Sequence, residues 1–413
     1  MVLYSSLCAD RSVRATLGQP LTSSANPPAG FSFLVRNTEA QDTRFRAAFG
    51  LLENAIAAQA FPGCSLAVTL RGDIVAHKAL GHFTYNSAWP AVATDSIFDL
   101  ASVSKAIATT TMAMILYERG LLDLETSVAA IVPEFGGEDP RRSEVTLRQL
   151  LAHSSGLPAY EKLYQRATTR DELLRAAFST KLTATPGTRA EYSDISFIIL
   201  GVALERLSDE ALDTFCQREV FGPLGMSHTM FNPPKSWRDR VVPTANECGA
   251  DTSVRAADDD AQAAPSTFRG RIIQGEVQDE NASVLGGVAG HAGVFSTAED
   301  VAIFAHTMLN GGYPILRPET VQVFTRREST PEGTSRALGW DTPSSPSQSG
   351  EYFSARSFGH LGYTGTSLWL DAERQVSITL LTNRTWPDCR NQAIKQVRPA
   401  FCDAAMEALE KKG

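Results

Sequence analysis

Strand-forming sequence lies near both ends of the 413-residue chain, with helical sequence between, and this distribution constrains the fold more than any other feature. Near the start, Cys64-Ser65-Leu66-Ala67-Val68-Thr69-Leu70 is followed by the turn signal Arg71-Gly72-Asp73. Ile74-Val75-Ala76-His77 then returns as the second arm of a hairpin. Near the end, Thr366-Ser367-Leu368-Trp369-Leu370, the turn Asp371-Ala372-Glu373-Arg374 and Val376-Ser377-Ile378-Thr379-Leu380-Leu381 repeat the pattern. Two hairpins alone would leave open edges, so the economical arrangement is one antiparallel sheet built from both ends. Phe45, Phe49, Leu52 and Ile56 form one apolar stripe on a helix predicted at about 43–60, and a second helix is predicted at about 390–411, interrupted at Pro399. The expected class is α+β: an antiparallel sheet flanked by terminal helices, with a mostly helical insertion and a cleft between the two parts.

A helix predicted over 102–119 is apolar or small nearly all round and ends at Gly120. Such a helix is buried, and a lone lysine on it needs a reason. Lys105 is that lysine, and Ser102 lies three residues before it, on the same helical face. A serine at a helix start has free backbone N–H groups beside it that can hold an oxyanion. A lysine lowered in pKa by burial can take the serine proton. The plain alternative, Ser102 as an N-cap and Lys105 as a solvated first-turn residue, sits poorly with the apolar run that follows.

Three further segments carry polar residues that could join this pair. Tyr192 and Asp194 sit on a loop entering the helical run Phe197-Ile198-Ile199-Leu200-Gly201, where a tyrosine lowered in pKa by a lysine ammonium could act as general base. A packing tyrosine followed by an Asp N-cap is the alternative. Phe358-Gly359-His360-Leu361-Gly362-Tyr363-Thr364-Gly365-Thr366 places glycines and His360 just before a strand, where a backbone N–H can serve an oxyanion. Leu285–Phe295, with His291, does not follow the dinucleotide pattern and is read as a loop lining the cleft. The expected divisions are a polar N-terminal extension (1–40), an α/β catalytic domain (41–120 with 275–413) and a mostly helical insertion (121–274), within which 249–268 reads as an exposed loop.

A net charge of −8 with no basic stripe argues against a nucleic-acid partner. The six cysteines are scattered, without metal-like spacing, so neither a metal site nor a disulfide framework is expected. No cofactor is called for. No run is long enough to span a bilayer and residues 1–35 lack an export pattern, so a cytoplasmic location is expected.

Taken together, these segments resemble the serine β-lactamase and penicillin-binding-protein superfamily, and within it the class C β-lactamase-related branch of D,D-carboxypeptidases, D-aminopeptidases and carboxylesterases. Ile97–Lys105 resembles the first motif with its lead-in, Val145–Leu157 and Gly293–Asp300 resemble further family segments, Tyr192-Ser193-Asp194 resembles Tyr-x-Asn, and His360-Leu361-Gly362 resembles Lys-Thr-Gly or His-Thr-Gly. A second register would make Tyr363-Thr364-Gly365 the third motif; the His360 register fits the branch better. The resemblance implies that Ser102 forms an acyl-enzyme, that Lys105 and Tyr192 share proton transfer, and that the backbone N–H groups of Ser102 and Tyr363 form the oxyanion hole. It also implies that Asp194, His360, Gly362 and His291 face an ester, peptide or β-lactam-like substrate. Asp194 stands where Asn is usual, Leu361 where Thr is usual, and His360 where β-lactamases have Lys. These departures favour an esterase or a peptidase acting on D-amino-acid compounds over an efficient β-lactamase. A catalytically silent, muropeptide-binding relative is the remaining alternative.

Overall fold

The computed structural model describes residues 34–248 and 266–410. Most of the expected N-terminal extension and of the loop at 249–268 therefore lie outside the described residues. Six strands form the main sheet: β1 (Val35–Arg36), β2 (Gly63–Leu70), β3 (Asp73–Gly81), β4 (Phe358–Leu361), β5 (Ser367–Asp371) and β6 (Val376–Thr382). Their order is β1-β3-β2-β6-β5-β4, antiparallel except for the β1–β3 pair. The two ends of the chain meet at β2–β6, with Leu66 opposite Leu380 and Cys64 opposite Thr382. Both predicted hairpins and the expected sheet are present.

Alternation along these central strands feeds two cores. Cys64, Leu66 and Val68 of β2 and Val376, Ile378 and Leu380 of β6 face one side. There they pack under helices α1 (Arg46–Ala57) and α2 (Ile394–Glu410), through Phe49, Leu52, Phe401 and Met406. Ala67 and Leu381 face the other side and join a larger core. That core includes Thr111–Glu118 and the helix Asp194–Ser208, each buried on most faces.

One sequence expectation fails. The C-terminal helix is not interrupted: it runs through Pro399. Proline lacks the N–H that would bond to the carbonyl of Lys395 one turn earlier, and that carbonyl instead accepts from Gln348 Nε2 at 3.0 Å. A contact from a loop some fifty residues away along the chain thus satisfies the helix where the local rule predicts a break.

Candidate active site

Ser102 sits in the turn between the short strand Phe98–Asp99 and a buried helix. The turn is tightly braced. Asp99 accepts from Ala101 N (2.8 Å) and Gln278 N (2.6 Å), while its carbonyl accepts from Thr364 Oγ1 and that of Leu100 from Thr366 Oγ1, both at 2.8 Å. Ala101 is held at φ +47°, a left-handed conformation that costs a non-glycine residue energy and turns Ser102 out of the strand line. The helix opens with a wide π-helical stretch, Lys105–Thr110, before becoming α-helical at Thr111. Lys105 is fully buried, and its ammonium donates to Ser102 Oγ (2.9 Å), Asp194 Oδ1 (2.6 Å) and the His291 carbonyl (2.9 Å). All three of its donors are therefore used.

Tyr192 comes from ninety residues further along the chain, and its hydroxyl donates to Ser102 Oγ at 2.7 Å. The loop carrying it rests on the segment after the short helix Leu147–Leu151, which a Thr146–Gln149 capping box opens. His153, left-handed at φ +54°, ends that element. Its Nδ1 accepts from Ser193 N (3.0 Å), its carbonyl accepts from Glu191 N (2.8 Å), and its ring lies 4.6 Å from that of Tyr192 and 5.0 Å from that of Phe197. Ser193 caps the following helix through Ser196 N, and Asp194 N donates to the carbonyl of Ala159 at 2.9 Å. Asp194 is consequently aimed at Lys105 from the cavity wall.

The glycine-rich segments provide close approach. A Cβ on Gly362 would lie 2.5 Å from the Leu100 carbonyl and 1.9 Å from Thr366 Oγ1, so only glycine lets the end of β4 press against the residues leading into Ser102. Tyr363 follows directly. Likewise, Gly290 packs on Gly201, where a Cβ would meet the Phe197 carbonyl at 2.1 Å, and this contact brings the His291 carbonyl onto Lys105. His291 lines the cavity beside Ser102, its ring held by Asp279, with Nε2 2.8 Å from Asp279 Oδ1. Ser102, Tyr192, His360, Gly362, Tyr363 and Asp194 all line one cavity of about 410 Å³. Thr364, central to the alternative third-motif register, is buried and tied to Asp99.

Burial sets the electrostatics. Desolvation lowers Lys105 from the usual lysine range, opposed by the Asp194 carboxylate and, more weakly, by Asp279; Arg336 adds to the lowering. Tyr192 moves opposite to the expectation of a lowered tyrosine: burial, then the negative charge of Asp194, raises it well above the usual range, so it holds its proton and donates it. His360 is pushed down to about 3, chiefly by burial and then by the Lys105 charge, and is neutral at ordinary pH. Its Nδ1 donates to its neighbour's carbonyl, that of Leu361, at 2.8 Å, which leaves Nε2 as an acceptor. A neutral histidine offers a carboxylate no charge. His153 is likewise held neutral by burial.

Sequence reasoning quoted His153 only within a family segment and gave it no task; Asp279 and Arg336 were not singled out. A positive-φ residue is invisible in one-dimensional pattern, and neither Asp279 nor Arg336 lies in a periodic or motif context. Asp279 is the N-cap of a short helix, through Ala282 N, as well as the partner of His291, and only the cap could have been read from sequence.

The beta-lactamase family model matches residues 48–399 of the chain. A Bacillus subtilis protein named N-acetylmuramyl-L-alanine amidase is 32% identical over 360 residues, covering 81% of this chain and 79% of the relative. An Escherichia coli K12 protein named D-alanyl-D-alanine carboxypeptidase is 31% identical over 311 residues, 70% of each. Among solved structures, EstCE1, described as a hydrolase with promiscuous acyltransferase activity, superposes with a TM-score of 0.72 at 21% identity, over 89% of this chain and 100% of its own.

Proposed function

We propose, for a chain that belongs to the beta-lactamase family and is a serine hydrolase, that Ser102 is the nucleophile, Lys105 its base and Tyr192 the acid toward the leaving group, acting on an ester or a D-amino-acyl amide. The observation that carries this assignment is the convergence of Lys105 Nζ at 2.9 Å and Tyr192 OH at 2.7 Å on one serine oxygen that lines a cavity. The fraction of Lys105 that is neutral takes the Ser102 proton as Oγ attacks the substrate carbonyl. The developing oxyanion is held by the backbone N–H of Ser102, which donates to nothing else among the described residues, and by that of Tyr363. Tyr192 then gives its proton to the departing oxygen or nitrogen and regains one from the Lys105 ammonium. Water, activated by the same groups, releases the acyl chain and restores Ser102.

Relatives named amidase, D-alanyl-D-alanine carboxypeptidase and acyltransferase hydrolase all agree with acyl transfer. The β-lactamase reading has less support, because neutral His360 and apolar Leu361 replace the groups that would hold a β-lactam carboxylate from the strand. The test is covalent labelling by a fluorophosphonate, mapped by mass spectrometry, with p-nitrophenyl acetate hydrolysis alongside. Label on Ser102, and loss of both label and turnover in Ser102→Ala, is the expected result. Undiminished turnover by Ser102→Ala would sink the assignment, and rapid nitrocefin hydrolysis would move the reading to a β-lactamase.

A further inference from the structure

Among the cations that line the cavity and that the chemistry above does not use, Arg336 is the one against the Tyr192 ring. Arg336 lies outside every motif. Its side chain is 22% exposed, its Cζ sits 5.5 Å from the centroid of the Tyr192 ring, and it lines the same cavity as Ser102. Its guanidinium makes no hydrogen bond among the described residues. Its single ion pair is a long one, 3.6 Å to Asp341 Oδ2, and the other oxygen of Asp341 is already taken by Ser335 Oγ (2.8 Å) and Thr342 N (3.0 Å). A mostly buried guanidinium has five N–H donors to satisfy, and one 3.6 Å contact does not satisfy them.

The other arginines of the cavity each donate to backbone carbonyls. Arg384 donates to the carbonyls of Tyr363 (2.7 Å) and Cys389 (2.9 Å), and Arg398 to those of Gly362 (2.5 Å) and Thr366 (2.9 Å). Both brace the backbone of the glycine-rich turn. Among these three arginines of the described residues, Arg336 alone donates to no carbonyl, and it lies over the Tyr192 ring.

We infer that Arg336 is a specificity residue that takes a free carboxylate on the leaving-group side of the scissile bond. The preferred substrate is thus an ester or amide whose departing half carries a carboxylate, as a C-terminal amino acid does. The side is set by Tyr192, which faces the leaving atom and lies directly against Arg336. The chemistry is set by the fork of the guanidinium, which matches a carboxylate with two parallel charge-assisted bonds. This assignment rests on the acyl-enzyme reading of Ser102. It also accounts for a third motif that has lost cation and hydroxyl together: recognition has moved off the β4 strand to a neighbouring loop.

The experiment compares 3-acetoxybenzoate with phenyl acetate. They share one acyl group, so deacylation is common to both and only the leaving-group carboxylate differs. Wild-type protein is expected to favour the acid in kcat/KM. Arg336→Ala should cut the acid-to-neutral ratio at least tenfold, as loss of a charge-assisted pair does, and Arg336→Lys should retain part of it. Should the alanine variant fail to fold, the wild-type ratio is measured at low and high salt, where a clear fall supports the carboxylate pair. A wild-type ratio at or below one, a ratio unmoved in Arg336→Ala, or a ratio flat with salt would overturn the assignment. Fluorophosphonate labelling of the wild-type protein without any preference for the acid overturns Arg336 alone. No labelling of the wild-type protein overturns it together with the Ser102 reading.

Discussion

The two walls of the cavity differ in how completely their polar atoms are used. On the helical wall, Ser102, Lys105, Tyr192 and Asp194 form a closed set: every ammonium donor of Lys105 has an acceptor, and the tyrosine hydroxyl has its serine. On the wall made by the end of β4 and the loop before it, His360 Nε2 has no hydrogen-bond partner among the described residues, and Arg336, beside the Tyr192 ring, makes there only its long polar contact with Asp341. A saturated wall holds reacting groups in one geometry, whereas an unsaturated one waits for a substrate to complete it. On the proposed reading, reaction type belongs to the helices and substrate choice to the sheet edge.

The sharpest way to break this comparison is to unbalance the saturated wall. Lys105→Met should lower kcat/KM at least 10³-fold. It should also cost about 3–5 kcal/mol of stability, because Asp194 is left buried without its counter-charge. Adding Asp194→Asn should return most of the stability in chemical denaturation and none of the activity. If the double variant is no more stable than Lys105→Met, the two residues are not energetically coupled.

The unsaturated wall makes a pH prediction. The folded-state pKa of His360, about 3, lies below its ordinary 6.5, so the unfolded chain binds the extra proton first. The resulting stability is complete above about pH 6.5 and is lost as pH falls toward 3, at about 1.4 kcal/mol per unit. Buried His153 contributes in the same direction. Melting temperatures across this range should fall less steeply for His360→Gln than for the wild type. Identical slopes would place the acid sensitivity elsewhere.

A smaller effect is expected from Asp194→Asn alone. Lys105 faces Asp194 and Asp279, which favour its ammonium, and Arg336, which opposes it, as does burial. Removing the nearest carboxylate should lower the lysine further. The ascending limb of the pH profile for kcat/KM should then move to lower pH, by about one unit or more. A shift to higher pH would show that Lys105 is not the base.

The smallest effect probes how the saturated wall is positioned. His153→Ala removes the acceptor for Ser193 N and should lower kcat roughly tenfold, with KM little changed. His153→Asn keeps an acceptor and tolerates the left-handed backbone, so it should recover part of the loss. Equal activity in the two variants would reduce His153 to packing.

Much of this was legible in one dimension because it depends on short-range rules. Alternation predicted the strands and the two-ended sheet, the apolar stripe from Phe45 to Ile56 predicted a helix at about 43–60, and three-residue spacing placed Ser102 and Lys105 on one face. Pro399 marks the limit of such rules, since the Lys395 carbonyl that it orphans is satisfied by Gln348 from outside the helix. The same limit applies at the site. Residue types named Asp194 and Tyr192, but only the fold aims Asp194 at Lys105 and reverses the expected direction of the Tyr192 pKa. His153 and Arg336 gave no local signal, because what each does depends on neighbours scores of residues away along the chain. The sequence by itself determined which functional groups were available and which short segments present them. Tertiary structure decided which of those groups meet and which keep their protons, because hydrogen bonding and desolvation act through space and not along the chain.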